Sequence, residues 1–354
     1  DLPLFLTGGN FMTDGYGMGF STELMINENN MNEDQFLQAV SQYLDLNIYH
    51  ILDNPNVLSI QHIDCMAKLT GPETIIIKQV PESSPEYDCI ENFASAFSNI
   101  STFYGRSFKI HRLFCPEING GPWETNPVAA YTNSLILNNK VLVPQYGVLA
   151  DQQALETYRS VMPGYDVIGF DDTSGSPWYG EDALHCRTMG VFDPEMIHIS
   201  HRSIRSDEIE NNNNILVEAE ILDYSGENVV AVSMLWKYSA EDGPFQAINL
   251  ELEGGTYRCM FPALNSNSDI EYYLSATNAL NSSVSHPNAG WHLFTTIELV
   301  SGDINGDGSS NIQDVVLLIN IILGSTEDEL GDINGDGFVD ILDVVSLVNI
   351  ILEV

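Results

Sequence analysis

Apolar and polar positions follow three different rhythms along the chain. Up to about residue 204, short continuous apolar runs alternate with amphipathic stretches. Thr74-Ile75-Ile76-Ile77-Lys78 and Lys140-Val141-Leu142-Val143-Pro144 have the length and composition of strands covered on both faces. Residues 32–40 and 151–158 space their apolar side chains as a helix does and open on Asn, Asp or Gln, which suit helix starts. Alternating strands and helices predict an α/β domain over 1–204. Around Arg205 the chain turns polar, and Ser206 to Asn214, ending in four asparagines, predicts a linker. Beyond it the period becomes two. Runs at 215–221, 229–238, 245–253, 256–261, 270–277 and 291–298, separated by Gly, Asn and Asp, predict an antiparallel β-sandwich over 205–300 with Trp236 and Tyr272 in its core. The third rhythm is a direct repeat in 301–354. Gly302-Asp303-Ile304-Asn305-Gly306-Asp307-Gly308 recurs 29 residues later as Gly331-Asp332-Ile333-Asn334-Gly335-Asp336-Gly337. Each copy leads into an apolar helix, Val315 to Leu323 and Val344 to Leu352.

The repeat carries its own chemistry. Oxygen-bearing residues at loop positions 1, 3, 5, 7, 9 and 12 are what a hard divalent cation requires. The first loop offers Asp303, Asn305, Asp307, the Ser309 carbonyl, Asn311 and Asp314; the second offers Asp332, Asn334, Asp336, the Phe338 carbonyl, Asp340 and Asp343. Two structural Ca2+ ions are expected there, and none for catalysis. The second loop holds one carboxylate more than the first.

Charge narrows the partners. Fifty acidic residues against 12 Lys and Arg give a formal net charge of −38, which argues against nucleic acid and anionic membranes as partners. A hydrophobic content of 44% supports real cores, yet no apolar run has membrane-spanning length. The five cysteines, Cys65, Cys89, Cys115, Cys186 and Cys259, form no C-x-x-C pair, so a zinc ribbon is not expected. With Cys186 a free nucleophile, the other four allow three pairings, and the sequence leaves all three open.

Two segments suggest catalysis. His62-Ile63-Asp64-Cys65, read as a strand, puts His62 and Asp64 on one face and turns Cys65 into the core. Glu181-Asp182-Ala183-Leu184-His185-Cys186-Arg187 supplies a thiol. A carboxylate to hold a planar cation, a thiolate to add to its carbon and an imidazolium to protonate departing ammonia suit a guanidinium substrate. His185 is expected to shape the turn. His198 and His201, three residues apart on a strand, face opposite ways and make a poor metal pair.

At these residues the chain resembles the guanidino-group-modifying enzymes, in particular the Porphyromonas-type peptidyl-arginine deiminases, with agmatine deiminases as cousins. The resemblance rests on Gly8-Gly9-Asn10-Phe11-Met12-Thr13-Asp14-Gly15, His62-Ile63-Asp64-Cys65, Tyr131-Thr132-Asn133-Ser134, Met162-Pro163-Gly164-Tyr165 and Ala183-Leu184-His185-Cys186-Arg187-Thr188, in the family's order. It implies Cys186 as nucleophile, His62 as general acid/base, Asp64 as guanidinium carboxylate and Asn133 as supporting polar residue. It also implies a partial α/β propeller, a fan of ββαβ modules of which the last three are expected here. An Ig-like domain follows the catalytic one in such enzymes. The family's first carboxylate, in an Arg-Asp-Tyr-Gly-Pro-like segment, has no counterpart, so the chain reads as cut inside a domain and its activity is expected to be impaired. The tandem repeat resembles a type I dockerin, which implies a cohesin-like partner and a secreted, modular protein. The expected reaction is hydrolysis of peptidyl-arginine to citrulline and ammonia. A small-guanidine deiminase of agmatine type and a non-catalytic calcium-dependent adhesion protein are the alternatives.

Overall fold

The computed structural model describes residues 3–54, 60–118, 127–171, 178, 182–209, 212, 215–297, 302–305, 309–324 and 331–352. Contacts divide the chain into two units, the first formed chiefly by residues up to Met196 and the second beginning at Ile197.

The first unit repeats one motif three times. Each copy is a three-stranded sheet whose first two strands run antiparallel and whose third, reached through a helix, runs parallel to the second. The first copy pairs Met12–Thr13 with Met18–Thr22 and Met18–Thr22 with Ile48–Leu52. The second joins Ala67–Gly71, Thr74–Gln79 and Lys109–Phe114, the third Leu135–Leu137, Lys140–Gln145 and Asp166–Asp171. Three ββαβ modules are therefore present, in agreement with the expected number. The crossover helices start where local chemistry allows. Asn32 caps Glu33–Leu44 through a reciprocal pair with Gln35, satisfying two amides that a helix start leaves open. Asp151, in the first turn of Ala150–Val161, accepts from the amides of Tyr146, Gly147 and Val148. The continuous apolar runs are buried, as both-sided covering demands: Ile75, Ile76 and Ile77 have no solvent exposure. One core joins the modules, from Met18 and Phe20 through Phe97 and Leu113 to Val141 and Tyr158.

The second unit contains two antiparallel sheets around a single core of Val217, Met234, Trp236, Phe261, Tyr272, Leu274 and Phe294. Trp236 and Tyr272 are the expected core aromatics. Two features differ from expectation. Strand Ile197–Ser200 pairs with Leu216–Asp223, so the sandwich begins at 197 and not at 205. The polar stretch that opens at Arg205 therefore follows the first strand of this sheet, which composition alone cannot distinguish from an interdomain linker. The expected strand 245–253 is two strands: Gln246–Asn249 pairs with Val229–Tyr238 in one sheet and Glu251–Glu253 with Thr256–Met260 in the other. Leu250, buried between them, marks the change of sheet.

The C-terminal repeat forms helices Ile312–Gly324 and Ile341–Leu352, each beginning about a turn earlier than the apolar run. Val315, Leu318 and Ile321 pack with Val344 and Leu347 at equivalent positions. A Cβ on Gly302 would lie 2.4 Å from Leu347 Cδ1, and one on Gly331 would lie 3.2 Å from Leu318 Cδ1, so each glycine is seated on the other repeat's helix.

Candidate active site and tandem loops

The residues singled out in the first unit are carried on short turns that lead into the modules. Gly8–Asn10 forms a one-turn 3-10 helix before the first, Ile63–Cys65 one before the second, and Tyr131 to Ser134 a turn before the third; His185–Arg187 is a further 3-10 turn beyond the third. The expected strand at 62–65 is thus a helical turn, with His62 extended just ahead of it. At three residues per turn the strand rule of alternating faces does not apply. Cys65, expected to turn away from Asp64's side, is buried, but its sulfur lies 3.5 Å from Asp64 Oδ1.

Each residue of Tyr131-Thr132-Asn133-Ser134 holds a different neighbour. Tyr131 donates its hydroxyl to Asp151 at 2.6 Å, Thr132 donates to the Cys65 carbonyl at 3.0 Å, and Ser134 meets the Tyr158 hydroxyl at 2.8 Å. Asn133 grips the nucleophile turn. Its Oδ1 accepts from the Cys186 amide at 3.2 Å, its Nδ2 donates to the Cys186 sulfur at 3.1 Å, and its carbonyl accepts from the His185 amide at 3.1 Å. Behind that turn, Ala183, Leu184 and Trp178 pack on Ala130, while Arg187 pairs with Asp182 at 3.0 Å and lies 4.7 Å from the Trp178 ring centre. Asn10, wholly buried, accepts through Oδ1 from the Thr22 and Ile63 amides and so ties the first turn to the second.

These turns bring Cys186, Asp64 and Asn133 together, with His62 alongside. Cys186 Sγ is 3.6 Å from Asp64 Oδ2. His62 lies next to Asp64 across Gly9, where an added Cβ would be 2.7 Å from His62 Nδ1 and 2.9 Å from Asp64 Oδ2. Only glycine leaves room for both. Glu181 and residues 119–126 lie outside the described residues.

Two contributors escaped the sequence reading. His185 Nδ1 contacts Asp64 Oδ2 at 2.8 Å, so it is a partner of the carboxylate as well as part of the turn. Lys68 lies within electrostatic reach of Asp64, Cys65 and Cys186, and burial pulls its pKa down to about 8. Neither has a local signature, because each acts across modules. The electrostatics favour a thiolate. The Cys186 pKa is lowered chiefly by the hydrogen bond from Cys65 and further by Asn133, against burial and the Asp64 charge. Asp64 stays below its ordinary range because the bond and charge of His185, with Lys68 and His62, outweigh the opposing effect of burial.

A model of the Porphyromonas-type peptidyl-arginine deiminase family matches residues 1–191, more than half of the chain. The chain belongs to this family. The deiminase portion is 29% identical over 207 residues to the "Putative agmatine deiminase" of Enterococcus faecalis, covering 52% of the chain and 56% of that protein. The protein of the same name from Lactococcus lactis is 28% identical over the same shares. The chain thus spans about half the length of these relatives. Among solved structures, one described as a "putative peptidyl-arginine deiminase" superposes with a TM-score of 0.49 at 22% identity, covering 54% of this chain and 59% of that one. A dockerin type I model matches 301–352, so this deiminase-family chain also carries a dockerin domain.

In that domain the position-12 acids are wholly buried and tie the loops to the helices. Asp314 accepts from the amides of Ile304, Asn305 and Asn311, and Asp343 from those of Asn334 and Asp340. Asp332 accepts from Asp336 and Gly337, with Gly335 and Gly337 at positive φ making the turn. Asp307 lies outside the described residues. Among the described residues no three His, Cys, Asp or Glu side chains already converge to hold an ion; in the second loop they hold its own amides. The all-oxygen donor set and the glycine turns fit a hard cation.

Proposed function

We propose that the deiminase portion hydrolyses a guanidinium group, with peptidyl-arginine as the substrate class. The observation that carries the reading is a thiolate-favouring Cys186 beside a buried carboxylate, Asp64, that already accepts from an imidazole nitrogen. A planar guanidinium takes the place of His185 on Asp64 through charge-assisted hydrogen bonds. That brings its carbon to the Cys186 sulfur. The thiolate adds to the carbon, ammonia leaves with a proton from His62, and a thiouronium remains. Water, deprotonated at His62, adds to the thiouronium carbon. Expulsion of the thiolate leaves a ureido group, citrulline in the peptidyl case. Asn133 holds the sulfur on line through its Nδ2 donor.

The peptidyl reading is supported by the matching family model, and the second reading, a small guanidine, by the relatives named as agmatine deiminases. The dockerin domain supports an exported, modular protein that docks onto a cohesin-like partner, and its two loops support Ca2+ binding by the residues named above. The intervening sandwich is read as an Ig-like spacer, and the three modules as part of an α/β propeller.

Covalent labelling tests the site without requiring turnover. Chloroacetamidine, cationic and planar, should alkylate Cys186 faster than neutral chloroacetamide does, and Asp64→Asn should erase the preference. Equal rates in the parent would overturn the cation site. Assays with benzoyl-arginine amide and with agmatine, reading citrulline-type product and ammonia, separate the two substrate classes.

A further inference from the structure

The catalytic reading uses Cys65 only as a neighbour that favours the Cys186 thiolate, yet its position is unlike that of a packing thiol. It sits beside Asp64 in the turn that leads into the second module, fully buried, with its thiol on Asp64 Oδ1 at 3.5 Å and close enough to Cys186 to act on that sulfur. Both sulfurs flank one carboxylate, Cys65 at Oδ1 and Cys186 at Oδ2. The backbones that carry them are held by adjacent residues: Thr132 bonds the Cys65 carbonyl and Asn133 bonds the Cys186 amide. Of the pair, Cys186 is solvent-accessible and Cys65 is covered. An exposed nucleophilic sulfur with a covered thiol in contact is the arrangement of an attacking and a resolving cysteine.

We propose that Cys186 and Cys65 form a peroxide-responsive thiol pair that closes to a reversible disulfide. The oxidant is a small peroxide that reaches Cys186 from solvent. The Cys186 thiolate attacks one peroxide oxygen; the O–O bond breaks, hydroxide leaves and a sulfenic acid forms. The Cys65 sulfur then attacks the Cys186 sulfur. The S–O bond breaks, and the leaving hydroxide takes the Cys65 proton and departs as water. The sulfur pair loses two electrons and the peroxide gains them. The disulfide removes the free thiolate from Asp64's side and spares Cys186 from irreversible sulfinic acid. A thiol reductant reopens it by exchange. The pair depends on where two sulfurs lie and not on the guanidine chemistry, so it stands or falls separately from the proposed activity.

The test uses the full chain, reduced, desalted and treated with hydrogen peroxide. Free thiols are then capped with N-ethylmaleimide and the non-reduced digest is mapped by mass spectrometry. Maleimide labelling of Cys65 and Cys186 should be lost in parallel, a linked Cys65–Cys186 peptide should appear, and dithiothreitol should restore both labels. In Cys65→Ser, Cys186 should instead be trapped by dimedone as the sulfenic acid and proceed to a form dithiothreitol does not recover. Oxidation of Cys186 in the parent with Cys65 still labelled would overturn the proposal, as would linkage of Cys186 to Cys89, Cys115 or Cys259. Should Cys65→Ser fail to fold, the linkage map of the parent decides alone.

Discussion

Cys186 differs from Cys115 and Cys259 in whether burial or its hydrogen-bond donors win. Burial pushes the thiols of Cys115 and Cys259 up to about 11. At Cys186 the donors Cys65 and Asn133 outweigh burial and the charge of Asp64. Only the thiolate is alkylated, so brief iodoacetamide treatment at neutral pH should label Cys186 first. Mass-spectrometric mapping checks this, and prior labelling of Cys259 would contradict it. Removing the donor by Asn133→Ala costs a hydrogen bond to a charged sulfur, about 1.5–3 kcal/mol, equivalent to one or two pKa units. The neutral-pH alkylation rate should fall about tenfold in that variant, read as a rightward shift of its pH profile. That Cys186, Asp64 and Asn133 belong to one site was legible because motif order carries it, and the structure brings the three together. The contacts of His185 and Cys65 with Asp64 were not legible, for a physical reason: four residues such as 62–65 contain too little pattern to separate a strand from a 3-10 turn, and the two geometries aim side chains differently.

At the scale of elements, the crossover helices and buried strands were legible because their periodicity reflects what each face touches. The strand that escaped, Ser283–His286, is short, and its position, like the sheet that Ile197–Ser200 joins, is set by the strand it pairs with. The dockerin helices illustrate a different point. Each is apolar almost all round because one side packs against its twin, while Ile312, Val316 and Leu323, with Ile341, Val345 and Leu352, stay exposed. Gly302 has φ +85° and no room for a Cβ. Gly302→Ala should therefore destabilise this domain by an overpacking cost of about 1–3 kcal/mol, visible as lost amide-exchange protection in Ile312–Gly324 and Ile341–Leu352. With four carboxylates against three, the second loop should bind Ca2+ more tightly, and Asp340→Asn should abolish that advantage in calorimetric titration. Unchanged affinity would remove the charge-count argument.

At the scale of the molecule, a cluster of histidines packed in the sandwich points to a pH response. In the sandwich His286 Nδ1 is 3.0 Å from His292 Nε2, and His201 uses both ring nitrogens, on the Glu218 carbonyl and the Tyr272 hydroxyl. Burial, with the nearby charges of His201 and His198, pulls His286 down to about 3. The unfolded chain takes up a proton there near pH 6.5 and the folded chain does not. This contribution to stability is therefore complete at neutral pH and is lost as pH falls from about 6.5 toward about 3, at no more than about 1.4 kcal/mol per pH unit. Exchange protection in Val229–Tyr238 and Asp269–Asn278 should decline over that window, and His286→Gln should flatten the slope. An unchanged slope would place the response elsewhere.

The turns that lead into the modules carry one more consequence. No single stretch of chain owns the lowered Cys186 pKa; it exists only while the turns before the second and third modules are docked on the Cys186 turn. In most proteins a thiol gains reactivity as denaturant opens the structure. Here, at a pH below the usual thiol range, unfolding should return Cys186 to an ordinary sulfhydryl and slow its alkylation. The alkylation rate of this one sulfur thus serves as an inverted gauge of native assembly, dimming as the fold dissolves.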